Sequence, residues 1–309
     1  EIIISAAHEV ATQELSEKLA YQWTSYIDAT PKTIETYNRA IKQFFKYLAE
    51  QGIHNPQRDD ILAYREYLRA DHKPTTIQGY LAAVKLFFQW TEQSGYYPNI
   101  ATRVKGAKVD RGHKKDYLTT KQASRLLQSI DTSTIQGKRD YAIIALMLTT
   151  GLRTVSIVNA NVGDIRAAGD AIALYYKGKG HEEKATYVKL SDQVEQAIRE
   201  HLATRLDTSD TAPLFTSASN RNGGERMTTR SISRLVKDHL KAAGYNSDRL
   251  TAHSLRHTAA TLALMNGATI EEAQQLLDHA NINTTLIYSH AIERAKNNSE
   301  YRISKAIFG

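Results

Sequence analysis

The chain has 309 residues, of which 41% are hydrophobic and 24% are charged, and it has no cysteine and a net charge of +7. The absence of cysteine excludes disulfides, thiolate catalysis and cysteine-based zinc sites, and it favours a reducing compartment, the cytoplasm. The length exceeds the size of about 250 to 300 residues at which one core stops growing, so two domains are expected. The positive charge, with a pI near 9.3, favours a polyanionic partner.

The sequence contains no apolar run near the roughly 20 residues needed to cross a bilayer, so no membrane partner is expected. The opening residues, EIIISAAHEV, have no basic segment and too short an apolar stretch for a signal peptide. Because the sequence begins without a methionine, we expect a trimmed chain that leaves room for a further domain upstream.

Residues 1–102 are predicted to form a compact domain of four helices. A capping residue and a proline mark the predicted N-terminus of a helix, as at Thr30-Pro31. A glycine marks the predicted C-terminus, as at Gly52. Apolar residues recur at helical spacing over four segments: 14–28, 31–52, 58–70 and 74–95. The aromatic residues have the spacing of a buried stripe, which favours a core over a base-stacking platform.

Two of these helices resemble each other. TIETYNRAIKQFFKYLAEQG (33–52) matches TIQGYLAAVKLFFQWTEQSG (76–95), with a Phe-Phe pair at the same place in both. The match has two explanations, an old duplication of a helical hairpin or two helices under the same packing demands. We favour the second, because one sequence does not show ancestry.

Basic residues on the polar faces of these helices are candidates for contacts with DNA phosphates, and an ordinary solvated face is the alternative. They are Lys32, Arg39, Lys42, Lys46, Lys73 and Lys85. Residues 103–116 are predicted to be an exposed basic linker, because they contain six Lys or Arg and show no apolar period. The linker adds the candidates Lys105, Lys108 and Arg111, for which a soluble tether is the alternative.

Residues 117–309 are predicted to form a second domain that is helical apart from one small antiparallel sheet. Residues 164–190 change to a strand period and resemble two strands joined by a charged, glycine-rich turn. Two helices are predicted before this sheet: one is capped by Thr119 or Thr120, and the next is apolar and ends at Gly151. Two more are predicted after it, over residues 192–205 and 228–244. The expected fold class is mainly α, with a four-helix domain followed by a mixed α+β domain.

The second domain holds the residue types that attack on a phosphodiester requires. Arg153 and Arg256 suit the clamping of phosphate oxygens, because a guanidinium stays charged and donates hydrogen bonds in pairs. His253 and His279 suit proton transfer or hydrogen bonding near neutral pH. Tyr288 would be the nucleophile and would form a covalent phosphotyrosine.

A lysine in the turn of the predicted hairpin would protonate the leaving 5′ oxygen. Lys179 stands at the tip, and Lys177 is a rival whose simpler interpretation is an exposed residue at the strand end. His257 has suitable chemistry, but it follows Arg256 directly on a predicted helix, so we expect it to point elsewhere and to be structural. No metal and no cofactor are expected, because positive side chains take the place of a metal.

Together and in this order, the motifs resemble the tyrosine recombinases, the phage integrase and Xer family. The motifs that carry the resemblance are Thr150-Gly151-Leu152-Arg153, Gly178-Lys179-Gly180, His253-Ser-Leu-Arg256-His257-Thr258, and Leu277-Asp278-His279 with Tyr288 nine residues on. The first domain resembles the family's core-binding domain, so the likeness covers about residues 10–300. It implies one catalytic set: Arg153, Lys179, His253, Arg256, His279 and Tyr288.

One position departs from the family pattern. The family usually has an acidic residue three positions after the first arginine, and here Ser156 stands there. A carboxylate would orient the arginine or a histidine, whereas a serine hydroxyl forms hydrogen bonds without balancing charge. How this chain supplies that support is therefore open, while the class of reaction is unaffected.

The resemblance implies site-specific DNA recombination, as integration or excision, through a 3′-phosphotyrosine and a Holliday junction. The implied partners are double-stranded DNA sites, further copies of the chain in a synaptic tetramer, and accessory DNA-bending proteins. The apolar C-terminal tail would join the copies of the tetramer, and packing of the tail on its own domain is the alternative. The implied location is the cytoplasm, at the nucleoid of a bacterium or its phage. The implied role is that of a mobile-element integrase or of a chromosome-dimer resolver. An arm-binding domain is the expected upstream segment. Two rivals stay open, type IB topoisomerase-like DNA relaxation and a DNA-binding protein without catalysis.

Overall fold

The computed structural model describes residues 15, 17–108, 116–178, 183–218 and 223–309. The chain divides into two compact units, Glu1–Gly112 and His113–Gly309. The point of division falls within the basic segment 103–116.

Helices form the first unit: α1 (Glu17–Tyr26), α2 (Pro31–Glu50), α3 (Arg58–Arg69) and α4 (Pro74–Gln93). Thr30 caps α2, because its hydroxyl accepts the Thr33 N–H at 3.3 Å, and Pro31 occupies the first helical position. Gly52 follows α2 with a φ of +65°, a conformation that favours glycine. The four predicted helices are confirmed, although the first ends at Tyr26, two residues earlier than expected.

Aromatic side chains fill the core of the first unit. Phe44, Phe87 and Phe88 are fully buried, and Trp23 is almost so. Phe44 meets Phe88 edge to face with 5.9 Å between ring centroids, and Trp23 meets Phe87 at 5.6 Å. The prediction that these aromatics form a core is confirmed. The two helices that share the Phe-Phe pair, α2 and α4, pack against each other.

The start of the predicted linker belongs to the first unit. Val104 is buried and packs in the aromatic core. Arg58 donates to the Thr102 carbonyl, and Arg65 donates to the Lys105 carbonyl at 3.1 Å. The expectation of an exposed connector from residue 103 onward is wrong over this first part. One buried valine and hydrogen bonds to backbone carbonyls attach this segment to the first unit. Neither kind of contact produces a sequence pattern.

The second unit is helical around a small sheet. Its helices are α5 (Thr120–Gln128), α6 (Ile135–Thr150), α7 (Thr154–Val158), α8 (Asp192–Leu202), α9 (Thr229–Ala242), α10 (Ala252–Met265), α11 (Ile270–Leu277), α12 (Asn283–Lys296) and α13 (Ser299–Phe308). The mainly helical fold with one small antiparallel sheet is confirmed. Within the described ranges, no helix combines the length and the apolar composition that a bilayer crossing demands.

The sheet consists of β1 (Ile165–Ala168), β2 (Ala171–Tyr176) and β3 (Thr186–Lys189), in the order β1-β2-β3. Both pairs are antiparallel, and Leu174 lies opposite Ile165 on one side and Val188 on the other. The expectation of two strands is therefore incomplete. It omits β1, because four residues of sequence Ile-Arg-Ala-Ala show no clear alternation.

α6 is the central helix of the second unit. It is buried continuously from Ala142 to Leu148, and it contacts α5, α8 and α10. Its uninterrupted apolar run therefore reflects burial on every side. The helix ends at Gly151, from which the chain turns toward Arg153.

Candidate active site

One cavity in the second unit gathers predicted catalytic side chains. Its volume is about 1050 Å³, and its walls include Arg153, His253, Arg256, His279 and Tyr288. These residues come from the start of α7, from α10, from the residues after α11 and from α12. Folding, not closeness along the chain, therefore assembles the site. The remaining predicted catalytic residue, Lys179, lies outside the described residues.

The sharp end of α6 places Arg153. Gly151 has a φ of +63°, and its N–H donates to the Met147 carbonyl at 3.0 Å. A Cβ on Gly151 would lie 2.7 Å from Leu277 Cδ2 and 3.3 Å from Ala259 Cβ. The backbone conformation and the close packing both require glycine here, and Arg153 follows at the N-cap of α7.

Gly151→Ala is expected to lower the free energy of unfolding by roughly 2 to 4 kcal/mol, because left-handed strain and overpacking add. Urea denaturation measures the loss. Gly169→Ala is the matched control, because Gly169 has a φ of +64° and no described atom within 4 Å of the added Cβ. Only the strain, about 1 to 2 kcal/mol, is expected there. Equal losses in the two variants would contradict the role of the packing against Leu277.

Arg256 is the buried cation of the site. It lies on α10, is 4% exposed, and donates to the Gly151 carbonyl at 2.6 Å and to the Leu277 carbonyl. Burial, followed by the neighbouring Arg153, lowers the pKa of Arg256 to about 10. The guanidinium is still charged at neutral pH, so the cavity contains a cation that the fold already holds in place.

Arg153 is the more accessible arginine, with 31% of its side chain exposed. It donates to the Asp278 carboxylate Oδ2 at 3.2 Å and to the Asp278 carbonyl at 3.1 Å. Ser156, at the position where a carboxylate was expected, is buried on α7. Asp278 is an acidic partner of Arg153 that the sequence motifs did not predict.

The histidines of α10 form a row that reaches Tyr288. The rings of His253 and His257 meet with 4.5 Å between centroids, and the rings of His257 and Tyr288 meet at 5.2 Å. The expectation that His257 points elsewhere is wrong. His253 and His257 are four residues apart on a helix and share a face, which outweighs the adjacency of His257 to Arg256.

His279 is fixed by a threonine. Its Nδ1 lies 3.0 Å from the hydroxyl of Thr285, a fully buried residue of α12. Burial, then Arg256 and Arg153, lower the pKa of His279 to about 4, so the imidazole is neutral at neutral pH. Thr285 was not predicted. Its sequence signal is its place one helical turn before Tyr288.

Tyr288 lies on α12 and is 4% exposed. Burial raises the pKa of its phenol, and Arg256 opposes that rise. The hydroxyl is therefore protonated at neutral pH. Its use as a nucleophile requires a group that accepts the proton during the attack.

The strand after the predicted lysine turn contributes to the cavity wall. Thr186 and Tyr187 of β3 line the cavity, so the chain returns from the turn beside the site. Lys177 is exposed directly after β2. The choice between Lys179 and Lys177 stays a prediction, because Lys179 is outside the part of the chain that is described.

The predicted DNA-contact residues of the first unit lie on its surface. Lys32, Arg39 and Lys46 follow each other at intervals of seven on α2, share a face, and pair with glutamates of the same helix. The other candidates with described positions are exposed or half-buried: Lys42, Lys73, Lys85, Lys105 and Lys108. Arg111 lies outside the described residues. Exposure fits a DNA contact and a solvated face equally, so these contacts stay predictions.

A basic groove adjoins the cavity. Its volume is about 920 Å³, and Arg153, His253 and Arg256 border both spaces. Further cations come from α9: Arg230, Arg234 and Lys237. The apolar face of α9 is buried, which leaves these basic side chains on the opposite side. The positive surface therefore extends beyond the space of a single phosphate.

The fold and the cavity define a class of protein, a mainly helical chain with two arginines and a buried tyrosine around one cavity. The chain belongs to the phage integrase family. The family described as "Phage integrase family" matches residues 116–294, and "Phage integrase, N-terminal SAM-like domain" matches residues 22–95.

Curated relatives of the chain are named as tyrosine recombinases. The chain is 38% identical to tyrosine recombinase XerC of Caldanaerobacter subterraneus subsp. tengcongensis over 177 residues, which are 56% of this chain and 47% of that protein. It is 31% identical to tyrosine recombinase XerC of Herpetosiphon aurantiacus over 294 residues, 90% of each. Against several other XerC relatives, the chain spans 55% to 63% of the relative's length.

A solved structure shares the fold. The XerH site-specific recombinase bound to palindromic difH substrate, in a post-cleavage complex, superposes with a TM-score of 0.73 and 20% sequence identity. The similarity covers 95% of this chain and 85% of that chain. At this identity it concerns the fold alone.

Proposed function

We propose that the chain is a tyrosine-type site-specific recombinase that cuts and rejoins double-stranded DNA. The observation that carries the proposal is the single cavity in which Arg153 and Arg256 stand beside the buried Tyr288. Two guanidiniums suit a phosphodiester, whose single negative charge rises toward two during the attack, and the tyrosine supplies a nucleophile. The names of the XerC relatives and the XerH–DNA complex support the same activity.

In the proposed cleavage, Arg153 and Arg256 bind the non-bridging oxygens of the scissile phosphate and stabilise the charge that develops there. The Tyr288 oxygen attacks phosphorus, the new O–P bond forms, and the bond to the 5′ oxygen breaks. Because burial raises the pKa of Tyr288, its proton leaves during the attack. His257, in ring contact with the phenol, and His253 behind it are the proposed acceptors.

The leaving group also needs a proton, and Lys179 is the proposed donor to the 5′ oxygen. The neutral His279, held through Thr285, hydrogen-bonds the phosphate in this scheme. The 3′-phosphotyrosine conserves the energy of the phosphodiester. Attack by the 5′ hydroxyl of a partner strand then reverses the step, so that rejoining requires no further energy source.

The DNA is proposed to lie along the basic groove beside the cavity. Arg230 and Arg234 would contact phosphates on either side of the one that reacts. The ammonium of Lys237 donates to the Ser247 and Leu250 carbonyls and would add positive charge to the groove. The basic residues of the first unit and of the linker would add contacts that depend on salt and not on sequence.

The C-terminal tail favours recombination over relaxation. α13 exposes four large apolar or aromatic side chains, Tyr301, Ile303, Ile307 and Phe308. Tyr301 and Phe308 lie on one side of the helix, and Ile303 and Ile307 lie on the other. A helix with exposed apolar side chains on two sides suits burial against another copy of the chain. We infer a tetramer on two DNA sites, with a Holliday junction between two rounds of exchange. A relaxing enzyme or a simple DNA-binding protein requires no such assembly.

The proposed setting is the nucleoid of a bacterium or its phage, in the cytoplasm. Integration or excision of a mobile genetic element and resolution of chromosome dimers use the same chemistry, and the DNA sites distinguish them. Accessory DNA-bending proteins are proposed partners where the two sites must be brought together.

Covalent trapping tests the proposed function. The wild-type chain is incubated with duplexes that contain a nick and whose sequence is taken from the DNA that flanks its own gene. The products are separated under denaturing conditions. A 3′-linked protein–DNA adduct is expected, and paired sites are expected to yield Holliday junctions. Adducts and relaxation without junctions would favour the topoisomerase-like rival, and binding without adducts would favour the non-catalytic one.

Deletion of residues 300–309 is expected to weaken assembly of two DNA-bound copies roughly tenfold or more, because exposed apolar side chains worth over about 1.4 kcal/mol are lost. Binding to a single half-site is expected to change less than about threefold, since the basic groove remains. Gel shifts and light scattering measure the two effects. Arg302→Gln is the matched control, because it alters α13 without removing its apolar side chains. Unchanged synapsis after the deletion would contradict the interface.

A further inference from the structure

The C-terminal end of α11 holds both arginines of the cavity. Arg256 Nη2 donates to the Leu277 carbonyl, and Arg153 Nη2 donates to the Asp278 carbonyl at 3.1 Å. Arg153 Nη1 also donates to the Asp278 carboxylate at 3.2 Å. The last carbonyls of a helix lack intrahelical partners and carry the negative end of its dipole. The two cations therefore meet a negative helix end that a carboxylate reinforces.

The backbone of Asp278 makes this double contact feasible. Asp278 caps α11 in the left-handed conformation, with φ 49° and ψ 51°, which aspartate tolerates better than most residues. The N–H of Asp278 donates to the Gln275 carbonyl at 3.0 Å, and that of His279 to the Gln274 carbonyl at 3.1 Å. The tight turn thus brings the carbonyl and the carboxylate of Asp278 to one guanidinium. His279 follows directly in the chain.

Charge balance gives the contact its importance. Arg153 lowers the pKa of Arg256 in addition to the larger effect of burial, whereas Asp278 raises it. Asp278 opposes the lowering of the pKa of His279 in the same way. Its side chain is 23% exposed, so its charge is only partly screened. The buried Ser156 carries no charge and does not supply this balance.

We propose that Asp278 is the positioning residue of the site, which orients the Arg153 guanidinium and offsets the charge of the two arginines. The proposal rests on the proposed recombinase function. Two of the five N–H groups of Arg153 are engaged by Asp278, which leaves the others for a phosphate. A long, flexible side chain held in this way needs no reordering when the phosphate charge develops.

Asp278→Asn and Asp278→Gly test the proposal with the full chain and the nicked duplex of the trapping assay. The single-turnover rate of adduct formation is expected to fall roughly tenfold or more, because Arg153 loses the charged acceptor that orients it and keeps only the bond to the backbone carbonyl as a fixed contact. Equilibrium affinity for the same duplex is expected to stay within about threefold, because removal of a negative charge does not weaken binding to DNA. Glu200→Gln, an equal charge change on the exposed face of α8, is the control and should leave both values unchanged.

A rate within threefold of wild type in both variants overturns the proposal. A loss of rate matched by an equal loss of affinity also overturns it, because that result indicates general damage to the site. The split between rate and affinity is therefore the decisive measurement.

A double-mutant cycle provides a readout that needs no DNA. Arg153→Gln, Asp278→Asn and the double variant are unfolded in urea, and the shifts of the midpoint are compared. Non-additive shifts are expected, because either single change removes the ion pair between the Arg153 guanidinium and the Asp278 carboxylate. Additive shifts overturn the proposed coupling. If the wild type forms no adduct while the shifts are non-additive, the recombinase function fails and the Arg153–Asp278 coupling stands.

Discussion

Tyr288→Phe is expected to abolish the covalent adduct and leave DNA binding intact. The substitution removes the hydroxyl and keeps the ring, so the packing of this 4% exposed side chain against His257 persists. Without the hydroxyl no phosphotyrosine forms, and adduct formation should fall by at least about 10³-fold. Denaturing gels of the trapped complex measure the loss, and gel shifts on the same duplex measure the binding.

Tyr187→Phe is the matched control, because Tyr187 also lines the cavity. It belongs to β3, and its ring meets Tyr175 with 5.2 Å between centroids. Removing its hydroxyl should leave the adduct yield within about twofold of wild type, since it supplies no nucleophile in the proposed reaction. An adduct that persists in the Tyr288 variant and disappears in the Tyr187 variant would contradict the proposal and identify Tyr187 as the nucleophile.

Helix boundaries were predictable because they depend on local chemistry. A threonine hydroxyl that accepts the third N–H, a proline at the first turn and a glycine at positive φ each act within a few residues. Thr30, Pro31 and Gly52 behave in this way around α2. β1 was not predictable by the same means, because its short run has no period and forms only by pairing with β2.

The residues that meet in the cavity were singled out in the sequence by their types and order, because few side chains suit a phosphodiester. The error at His257 is instructive. Its adjacency to Arg256 suggested a different direction, yet His253 stands four residues earlier on the same helix face. The ring contacts of His257 with His253 and with Tyr288 follow that helical period. The spacing of four residues between His253 and His257 is the sequence signal for this contact.

Other parts of the site depend on tertiary structure more than on a sequence pattern. Asp278 reaches Arg153 because a left-handed turn at the end of α11 brings both its carbonyl and its carboxylate to that side chain. Thr285 reaches His279 because α11 and α12 pack against each other. Both contacts depend on tertiary structure, whereas the motifs name only the residues that would touch the phosphate. Supporting residues are thus the part of a site that needs a structure.

Arg256→Ala is expected to lower the single-turnover rate of adduct formation by roughly 10² to 10³-fold, because one preorganised donor to the phosphate is lost. Arg256→Lys separates charge from geometry. An ammonium keeps the charge but lacks the planar fork that donates to the Gly151 and Leu277 carbonyls, so a loss of roughly tenfold or more is still expected. Single-turnover kinetics under enzyme excess measure both variants.

The interpretation depends on comparing the two variants with a surface arginine. Arg199→Ala removes the same side chain from α8, where it is mostly exposed and pairs with Glu195, so wild-type kinetics are expected. If the lysine variant at position 256 reacts at the wild-type rate, charge alone suffices and the fork is not required. If both variants at that position react at the wild-type rate, Arg256 does not bind the reacting phosphate. A loss in both, larger for alanine, means that the buried guanidinium acts through charge and orientation together, as its bonds to Gly151 and Leu277 lead us to expect.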